Sequence, residues 1–524
     1  MQNIIQNICV LVYLSYCFNV PSSDAAHSLE EKKLPPHIVF ILADDLGYAD
    51  IQSFDPIRGA IPTPHIDSIG ENGAMFMDAH TTSAVCSPSR YSIITGQYNW
   101  RSRLQSGALH GLSPPLIQRN QPTIGTLLKS GGYKTGFVGK WHIGLKFNIN
   151  MQDHLNPDKS YRLLNFSHHI EEGPVNVGFD EYFGLTASLD IPPYVYIRDR
   201  NFVTPDSQVQ HTVDQKNVFW GRAGPVANGF IAEDTMDLLL KESKSFLSKH
   251  THSNTNPIEQ TPLFLYISLT SPHTPVLPSQ TFKGKSRVGW YGDFVMQTDD
   301  FVGQIKQHLQ DLQIINNTLL IFTSDNGFAN AGMNNGHNGP DAMKHHPSGI
   351  YRGQKSDIYE GGHRVPLVMQ WPRVIPPRTR VLDVVSLVDM YATFADAAGV
   401  SKETEGGPDS HSLLPLLTPS STELYKREYT ILHSIQGKFG VRQGQWMLAL
   451  CHGSGGWTPS SAPAPKPKEF SQIQLWDLEK DPSQAHDLLV GASVSEERRA
   501  IVRNLTHMYH VITGRRSRVR KRRV

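Results

Sequence analysis

The chain has 524 residues, of which 39% are hydrophobic and 19% charged, and its formal net charge is +1. That balance excludes a fibrous, low-complexity or wholly disordered chain and leaves ample apolar residues for a large core. Its 4 cysteines (Cys9, Cys17, Cys86 and Cys451) are too few for a disulfide-stapled scaffold of this length, and two of them fall in an N-terminal leader.

In that leader, residues 8 to 20 form a short apolar run at the extreme N-terminus, followed by Ser23-Asp24-Ala25, a small-x-small cleavage pattern. Residues 1–25 are therefore expected to be a secretory signal peptide, which implies a secreted, periplasmic or lysosomal protein. No later stretch is apolar enough to predict a membrane span.

His37 to Ala43 is an unbroken apolar run with β-branched members, the pattern of a strand buried on both faces of a parallel sheet. It ends in Asp44-Asp45, where open α/β sheets place ligands. Two adjacent carboxylates there suit calcium, though by themselves they fit an ordinary turn or helix cap better. Thr63-Pro64-His65 reads as cap, proline and helix. Cys86-Ser87-Pro88-Ser89-Arg90 predicts the opening of a short helix, since proline suits the first turn. Cys86 is expected just before the helix N-terminus, where free N–H groups and the dipole favour an anion. Arg90 comes back to the same spot one turn later. By itself this spacing also fits a buried structural cysteine beside a surface arginine.

Pro122 to Ser130 predicts a helix and Tyr133 to Val138 a strand, which runs into Gly139-Lys140-Trp141-His142. Lys140 and His142 share a face if that segment is extended. Alone, they read equally as a solvated lysine and a structural histidine. Residues 146 to 225 are polar and irregular. Leu263 to Leu269 predicts a second buried strand, with His273 just past its end. Apolar residues from Tyr291 to Leu312 recur at three and four, which predicts a long helix. Thr318 to Thr323 predicts a third buried strand, followed by the oxygen donors Asp325 and Asn326. Asp389 to Ala398 predicts a helix stopped by Gly399.

From about residue 420 the texture changes to short strands near Tyr429 to Ser434, Phe439 to Arg442 and Trp446 to Cys451. A Ser/Gly/Pro/Ala-rich loop over 454–467 and a helix from Ser495 to Val511 follow. The last ten residues carry seven positive charges, leaving −6 for the rest. They read as a solvated tail or a surface for polyanions.

Cys-Ser-Pro-Ser-Arg at 86–90, with Thr95-Gly96 behind it, resembles the signature of the type I, formylglycine-dependent sulfatases, an arylsulfatase-like family. Most of the chain follows the same pattern. Asp44-Asp45-Leu46-Gly47-Tyr48 resembles the family's N-terminal metal motif, and Asp325-Asn326 the second half of its calcium site. Lys140-Trp141-His142 is similar to its Lys-x-His motif and Pro272-His273 to its Pro-His motif. Lys355 followed by Glu360-Gly361-Gly362-His363-Arg364-Val365-Pro366 resembles its Gly-x-Lys and Glu-Gly-Gly-x-Arg-x-Pro stretches. Gly178 to Asp190 resembles a segment whose serine, here Ser188, touches the sulfate. Ser188 to Tyr194 looks like the corresponding stretch of carbohydrate sulfatases, and Gln474 to Pro482 like the C-terminal subdomain.

The resemblance implies an α/β, alkaline-phosphatase-like fold: a large mixed, mostly parallel sheet flanked by helices, plus a smaller C-terminal α+β subdomain with a short antiparallel sheet. The expected boundaries are 35–418 for the catalytic domain, 419–513 for the subdomain and 514–524 for the basic tail. It also implies that Cys86 is converted to formylglycine by a formylglycine-generating enzyme. Ca²⁺ would be held by Asp44, Asp45, Asp325 and Asn326 together with the side chain at 86. Arg90, Lys140 and Lys355 would add fixed charge and Ser188 a hydrogen bond. One hydroxyl of the hydrated aldehyde attacks sulfur, Asp325 assisting its deprotonation, and His273 or Lys355 protonates the leaving alcohol. His142 then deprotonates the second hydroxyl and sulfate departs. Glu360 and Arg364 are expected to form a structural ion pair. With Cys86 modified, Cys451 has no partner and no disulfide is expected.

The expected substrate is a sulfate monoester, on a carbohydrate or an aryl group. The alternatives are a phosphomonoester or phosphonate hydrolase of the same superfamily and an inactive binder of sulfated glycans. No specific nucleic-acid partner is expected. Asn165, Asn316 and Asn504 open glycosylation sequons that matter in a eukaryotic host.

Overall fold

Ile38, Phe40 and Leu42 face one apolar core and Val39, Ile41 and Ala43 face another, each fully buried. They alternate along strand β1 (His37–Asp44) with the two-residue period of an extended chain. An unbroken apolar run is stable there because both faces are covered. The computed structural model describes residues 34–149, 161–213, 221–251, 261–336, 338–401, 406–418, 424–425, 427–459, 470–490 and 494–515. The expected signal peptide, residues 460–467 of the expected loop and residues 516–524 of the basic tail lie outside them.

The other strands, in chain order, are β2 (Ala74–Phe76), β3 (Ala79–His80), β4 (Lys134–Lys140), β5 (Glu181–Leu185), β6 (Ile197–Arg198), β7 (Asn201–Phe202), β8 (Val209–Val213) and β9 (Gly224–Ala227). They continue with β10 (Leu263–Pro272), β11 (Thr318–Ser324), β12 (Leu367–Gln370), β13 (Thr379–Val381), β14 (Val385–Ser386), β15 (Thr430–His433), β16 (Phe439–Gln443), β17 (Trp446–Ala449) and β18 (Gln474–Asp477). Ten of them form one sheet in the order β13-β2-β12-β11-β1-β10-β4-β5-β6-β7. β11, β1, β10, β4 and β5 run parallel, with Val39 opposite both Leu265 and Leu320. β12 pairs antiparallel with β11 and with β2, so the sheet is mixed. Parallel pairing brings the C-terminal ends of β1, β4, β10 and β11 to one edge, where a ligand crevice forms.

Helices cover both faces. Ile66, Met236, Leu239, Phe294 and Val295, from the helices Pro64–Glu71, Thr235–Thr251 and Trp290–Asp311, pack in the core of Val39 and Ile41. Ile93, Ile94, Ile124, Leu127 and Phe394, from Cys86–Thr95, Ile124–Ser130 and Met390–Ala398, pack in the core of Phe40. No helix among the described residues is long and apolar enough to cross a membrane.

β15, β16, β17 and β18 form a separate antiparallel sheet. Ile431, Val441, Leu448 and Leu475 lie under Val502, Leu505 and Tyr509 of the helix Glu496–Thr513. On the other face Leu432, Met447 and Trp476 pack on Ile358 and Tyr359. That contact lies just after Lys355, so the C-terminal sheet backs part of the crevice.

Thr63 does not cap its helix with its side chain. Its hydroxyl oxygen accepts from Gln52 N at 2.9 Å. The helix is capped instead from the Trp290–Asp311 helix, where Asp299 accepts from His65 N at 3.2 Å and Ile66 N at 2.8 Å.

Candidate active site

Cys86 is the first residue of its helix, one position further in than expected, and Val85 is the extended N-cap without a side-chain cap. The helix is buried all round, and hydroxyls anchor its first turn while Ile93 and Ile94 pack in the core. Ser87 Oγ accepts from Leu109 N at 3.1 Å, and Ser89 Oγ donates to the Ser83 carbonyl at 2.6 Å. Gly96 ends the helix at φ 63°, where a Cβ would stand 2.5 Å from Gly407 Cα.

Around Cys86 the strand ends assemble a buried charge cage. Lys140 Nζ donates to Asp44 Oδ1 at 2.8 Å and Oδ2 at 2.7 Å. Lys355 Nζ lies 2.8 Å from Asp45 Oδ2 and 2.7 Å from Oδ1. Arg90 donates from Nε to Asp325 Oδ2 at 2.9 Å and also lies 3.4 Å from Asp44 Oδ1. Arg90 donates besides to the Ser268 hydroxyl. Asn326 Nδ2 donates to Asp45 Oδ1 at 2.8 Å. Burial pushes the carboxyls of Asp44 and Asp45 up, but Lys140 beside the first and Lys355 beside the second hold both below the usual range. Burial also opposes the Lys355 charge, and Asp45 outweighs it and raises its pKa.

The two histidines differ. His142 Nε2 donates to the Leu109 carbonyl at 2.8 Å, and its buried Nδ1 has no partner among the described residues. Burial, then the Lys140 charge, push its pKa well below the ordinary value. His142 is thus a neutral imidazole with a free lone pair, the state of a base. His273 Nδ1 donates to the Thr274 carbonyl, and Nε2 stands 3.5 Å from Asp45 Oδ2. Burial lowers its pKa, but Asp45 and Asp44 outweigh it and raise it to about 9, the state of an acid. Asp45, His142 and Ser356 all hold positive φ, at 60°, 55° and 85°. Such conformations persist where the surroundings over-determine them, as at binding sites.

Of the residues the sequence singled out, Cys86, Asp44, Asp45, Arg90, Lys140, His273, Asp325, Asn326 and Lys355 come together in the cage or border it. His142 lies near enough for the charges of Lys140, Arg90 and Lys355 to help lower its pKa. Ser188 is buried on the loop after β5, its hydroxyl without a partner among the described residues. His142 N bonds the Thr186 carbonyl at 2.9 Å, and Asp190 Oδ1 lies 4.0 Å from His273 Nδ1. That loop therefore reaches the site. Glu360 and Arg364 form the expected ion pair at 2.9 Å.

Sequence reasoning missed Ser268, whose signal is a serine inside the apolar run from Leu263 to Leu269 of β10. It also missed Arg222, 3.6 Å from Asp190 at the rim, and Trp457. Trp457 N donates to Ser356 Oγ at 2.8 Å, and its half-exposed ring lies 6.0 Å from Lys355 Nζ. It comes from the Ser/Gly/Pro/Ala-rich loop, where nothing in composition points to a site.

The residues present fit a hard divalent cation. Asn326 Oδ1 is a buried acceptor without a partner among the described residues. Ligand atoms of Asp44, Asp45, Cys86 and His273 lie within 4.8 Å of one another. Carboxylate and amide oxygens suit Ca²⁺.

A charge cage of this kind at the C-terminal edge of an alkaline-phosphatase-like sheet defines a hydrolase for tetrahedral anion esters. The sulfatase family profile matches residues 36–400, and the profile described as N-sulphoglucosamine sulphohydrolase, C-terminal, matches residues 351–455. The chain belongs to the sulfatase family and is a sulfuric ester hydrolase. It is 29% identical over 521 residues to the N-acetylgalactosamine-6-O-sulfatase of Bacteroides thetaiotaomicron, covering 92% of this chain and 93% of that protein. It is 30% identical over 426 residues to the N-acetylgalactosamine-6-sulfatase of Rattus norvegicus, covering 79% and 72%. A solved structure from work on glycosaminoglycan metabolism by Bacteroides thetaiotaomicron superposes with a TM-score of 0.75 at 28% identity, over 92% of this chain and 100% of that one.

Proposed function

We propose that the protein hydrolyses sulfate monoesters on a sulfated carbohydrate, 6-sulfated N-acetylgalactosamine being the first candidate, with a formylglycine made from Cys86 and a bound Ca²⁺. The carbohydrate assignment is supported by the names of the relatives above. It is also supported by Trp457, an exposed ring at the mouth of the site of the kind that stacks on a sugar face. The observation that carries the chemistry is the cage of Arg90, Lys140 and Lys355 around a cysteine at a helix start.

Asp44, Asp45, Asp325 and Asn326 would hold Ca²⁺, which when bound polarises the sulfate oxygens. The hydrated aldehyde at position 86 would supply the oxygen nucleophile. Arg90 fixes Asp325, and with Lys140 and Lys355 it places positive charge where the sulfate sits. Arg90, Lys140, Lys355 and a protonated His273 against three carboxylates leave the cage only slightly positive, so an added divalent ion makes it strongly attractive to an anion. His273 holds a proton for the leaving alcohol oxygen, as Lys355 also could. His142 Nδ1 accepts a proton from the side chain at 86. Ser188 Oγ would donate to the sulfate. Asp190 and Arg222 line the entrance.

The same reading makes residues 1–25 a signal for export and requires a formylglycine-generating enzyme on the way. The test is the mass of the tryptic peptide carrying residue 86 from protein secreted by its own host, with matched rates on 6-sulfated N-acetylgalactosamine and on a phosphate monoester. An aldehyde at 86 and a preference for the sulfate are expected. An intact thiol in active protein, or faster turnover of the phosphate, overturns the proposal.

A further inference from the structure

A second group of metal-binding side chains lies apart from the cage. His80 ends β3, and Glu360 and His363 bound the short helix Glu360–His363. All three are fully buried, and one ligand atom from each lies within 4.8 Å of the others.

Hydrogen bonds fix the tautomers of the two imidazoles. His363 Nε2 lies 3.0 Å from the Ile358 carbonyl oxygen, which can only accept, so Nε2 carries the proton. His80 Nε2 lies 2.5 Å from Asp78 Oδ1. Asp78 is an ion-paired carboxylate, 2.7 Å from Arg364 and 3.0 Å from Arg442, so it too accepts. A neutral imidazole has one N–H. Both Nδ1 atoms are then bare lone pairs, and they face each other at 3.0 Å. Lone pairs at that distance repel unless a cation joins them. Beside them, Glu360 Oε1 is buried without a partner among the described residues, while Oε2 takes Arg364 Nε at 2.9 Å.

A proton or a metal ion would satisfy the facing nitrogens, and Glu360 Oε1 decides between them. A proton shared by the two rings leaves Oε1 bare in the interior, where buried acceptors are ordinarily satisfied, whereas a metal ion uses all three lone pairs. We propose that His80 Nδ1, His363 Nδ1 and Glu360 Oε1 bind a zinc-class divalent transition metal, separate from the calcium of the active site. Two imidazole nitrogens and one carboxylate oxygen are a donor set for Zn²⁺ and its neighbours. The outer contacts belong to such a site as well, because a metal-bound histidine donates its other N–H to a carboxylate or a carbonyl. Asp78 and the Ile358 carbonyl do this here. Asp78, Arg364 and Arg442, which bound the cluster, also line a cavity of about 620 Å³.

The ion would act as a clamp. His80 lies six residues before Cys86, and Glu360 five residues after Lys355. Thr81 N already donates to the His363 carbonyl at 2.8 Å. One ion would tie the segment that delivers the nucleophile to the segment that delivers a sulfate-binding lysine.

Full-length protein is incubated with Zn²⁺, dialysed against metal-free buffer containing Ca²⁺, and analysed by plasma mass spectrometry. One zinc per chain is expected, with about tenfold or more weaker retention in Glu360→Gln and His80→Gln. Asp325→Ala should lose calcium and keep zinc. With Ca²⁺ held saturating throughout, zinc should restore the melting temperature that zinc removal lowers. A measurement that needs no variant is titration of the chelated wild type with Co²⁺, for which visible ligand-field bands that Zn²⁺ abolishes are expected. Wild-type protein that holds no zinc and gives no cobalt bands overturns the proposal, as does equal zinc retention by folded Glu360→Gln.

Discussion

Arg90, Lys140 and Lys355 are each paired with a carboxylate almost out of reach of water, so a single substitution in the cage has two effects at once. Asp325→Ala removes a proposed calcium ligand and strands the Arg90 guanidinium. Breaking a buried pair from one side costs about 3–5 kcal/mol, so this variant should bind calcium more weakly and unfold at lower denaturant. Asp325→Asn keeps the shape and a hydrogen-bonding oxygen and should lose calcium affinity with a smaller loss of stability. Calorimetric calcium titration beside a denaturant melt checks both, and wild-type calcium affinity in the two variants would remove Asp325 from the ligand set. Cys86 tests the chemistry separately. A serine fits the same buried helix start, so Cys86→Ser should fold and melt like the wild type. Its steady-state rate should fall on the order of 10⁶-fold, the size of effect seen when a nucleophile is removed. Sustained turnover by that variant would falsify the aldehyde reading.

At the scale of elements, the helix Pro64–Glu71 takes its cap from another helix, and this gives stability a pH dependence. Asp299 is 3% exposed, and burial raises its pKa to about 7 despite the Ile66 and His65 amides, which lower it. The folded state therefore keeps a proton that the unfolded chain releases near pH 4. The associated stability is fully present below the unfolded pKa and is lost as pH rises through about 7. Asp299→Asn keeps an acceptor for the amides and cannot ionise. Between pH 5 and pH 8 the wild type should lose on the order of 2 kcal/mol relative to this variant. Parallel melts at the two pH values decide it, and an unchanged difference would mean that Asp299 is ionised throughout. The loop bearing Trp457 makes a functional prediction. If the ring stacks on a sugar, Trp457→Ala should raise KM for a sulfated oligosaccharide up to about tenfold and change KM for a small aryl sulfate much less. Equal effects on both substrates would assign the Trp457 ring to its contact with Lys355 rather than to the sugar.

For the whole molecule, the elements were legible to different depths for physical reasons. The strands β1, β10 and β11 declare themselves because burial on both faces demands continuous apolar runs, and the polar residues that end those runs supply the candidate site. Their convergence was readable too, since parallel strands bring like ends together. What a single chain does not display is who answers whom across the fold. Thr63 looked like a cap, but its hydroxyl oxygen accepts from Gln52 N, while Asp299, more than two hundred residues away, took its place. Trp457 and Ser268 carry no motif, and His80 acquires meaning only beside Glu360 and His363. The joint between the main sheet and the C-terminal segment is of the same kind. Arg427, between β14 and β15, donates from Nε to Asp389 Oδ2 at 3.0 Å, from Nη1 to Tyr98 Oη at 3.0 Å and from Nη2 to the Asp409 carbonyl at 2.7 Å. Asp389 accepts besides from His411 N at 2.8 Å and Tyr425 Oη at 2.8 Å. One guanidinium thus closes the seam between the Met390–Ala398 helix, the region after the Cys86 helix and the C-terminal sheet. Arg427→Met keeps most of the stem packing and leaves the Asp389 carboxylate uncompensated, for a loss of about 3–5 kcal/mol. Calcium affinity should stay unchanged, because no cage residue touches Arg427. A denaturant melt and a calcium titration on the same variant separate the two effects. A stability loss accompanied by lost calcium binding would show that the seam also holds the cage in register.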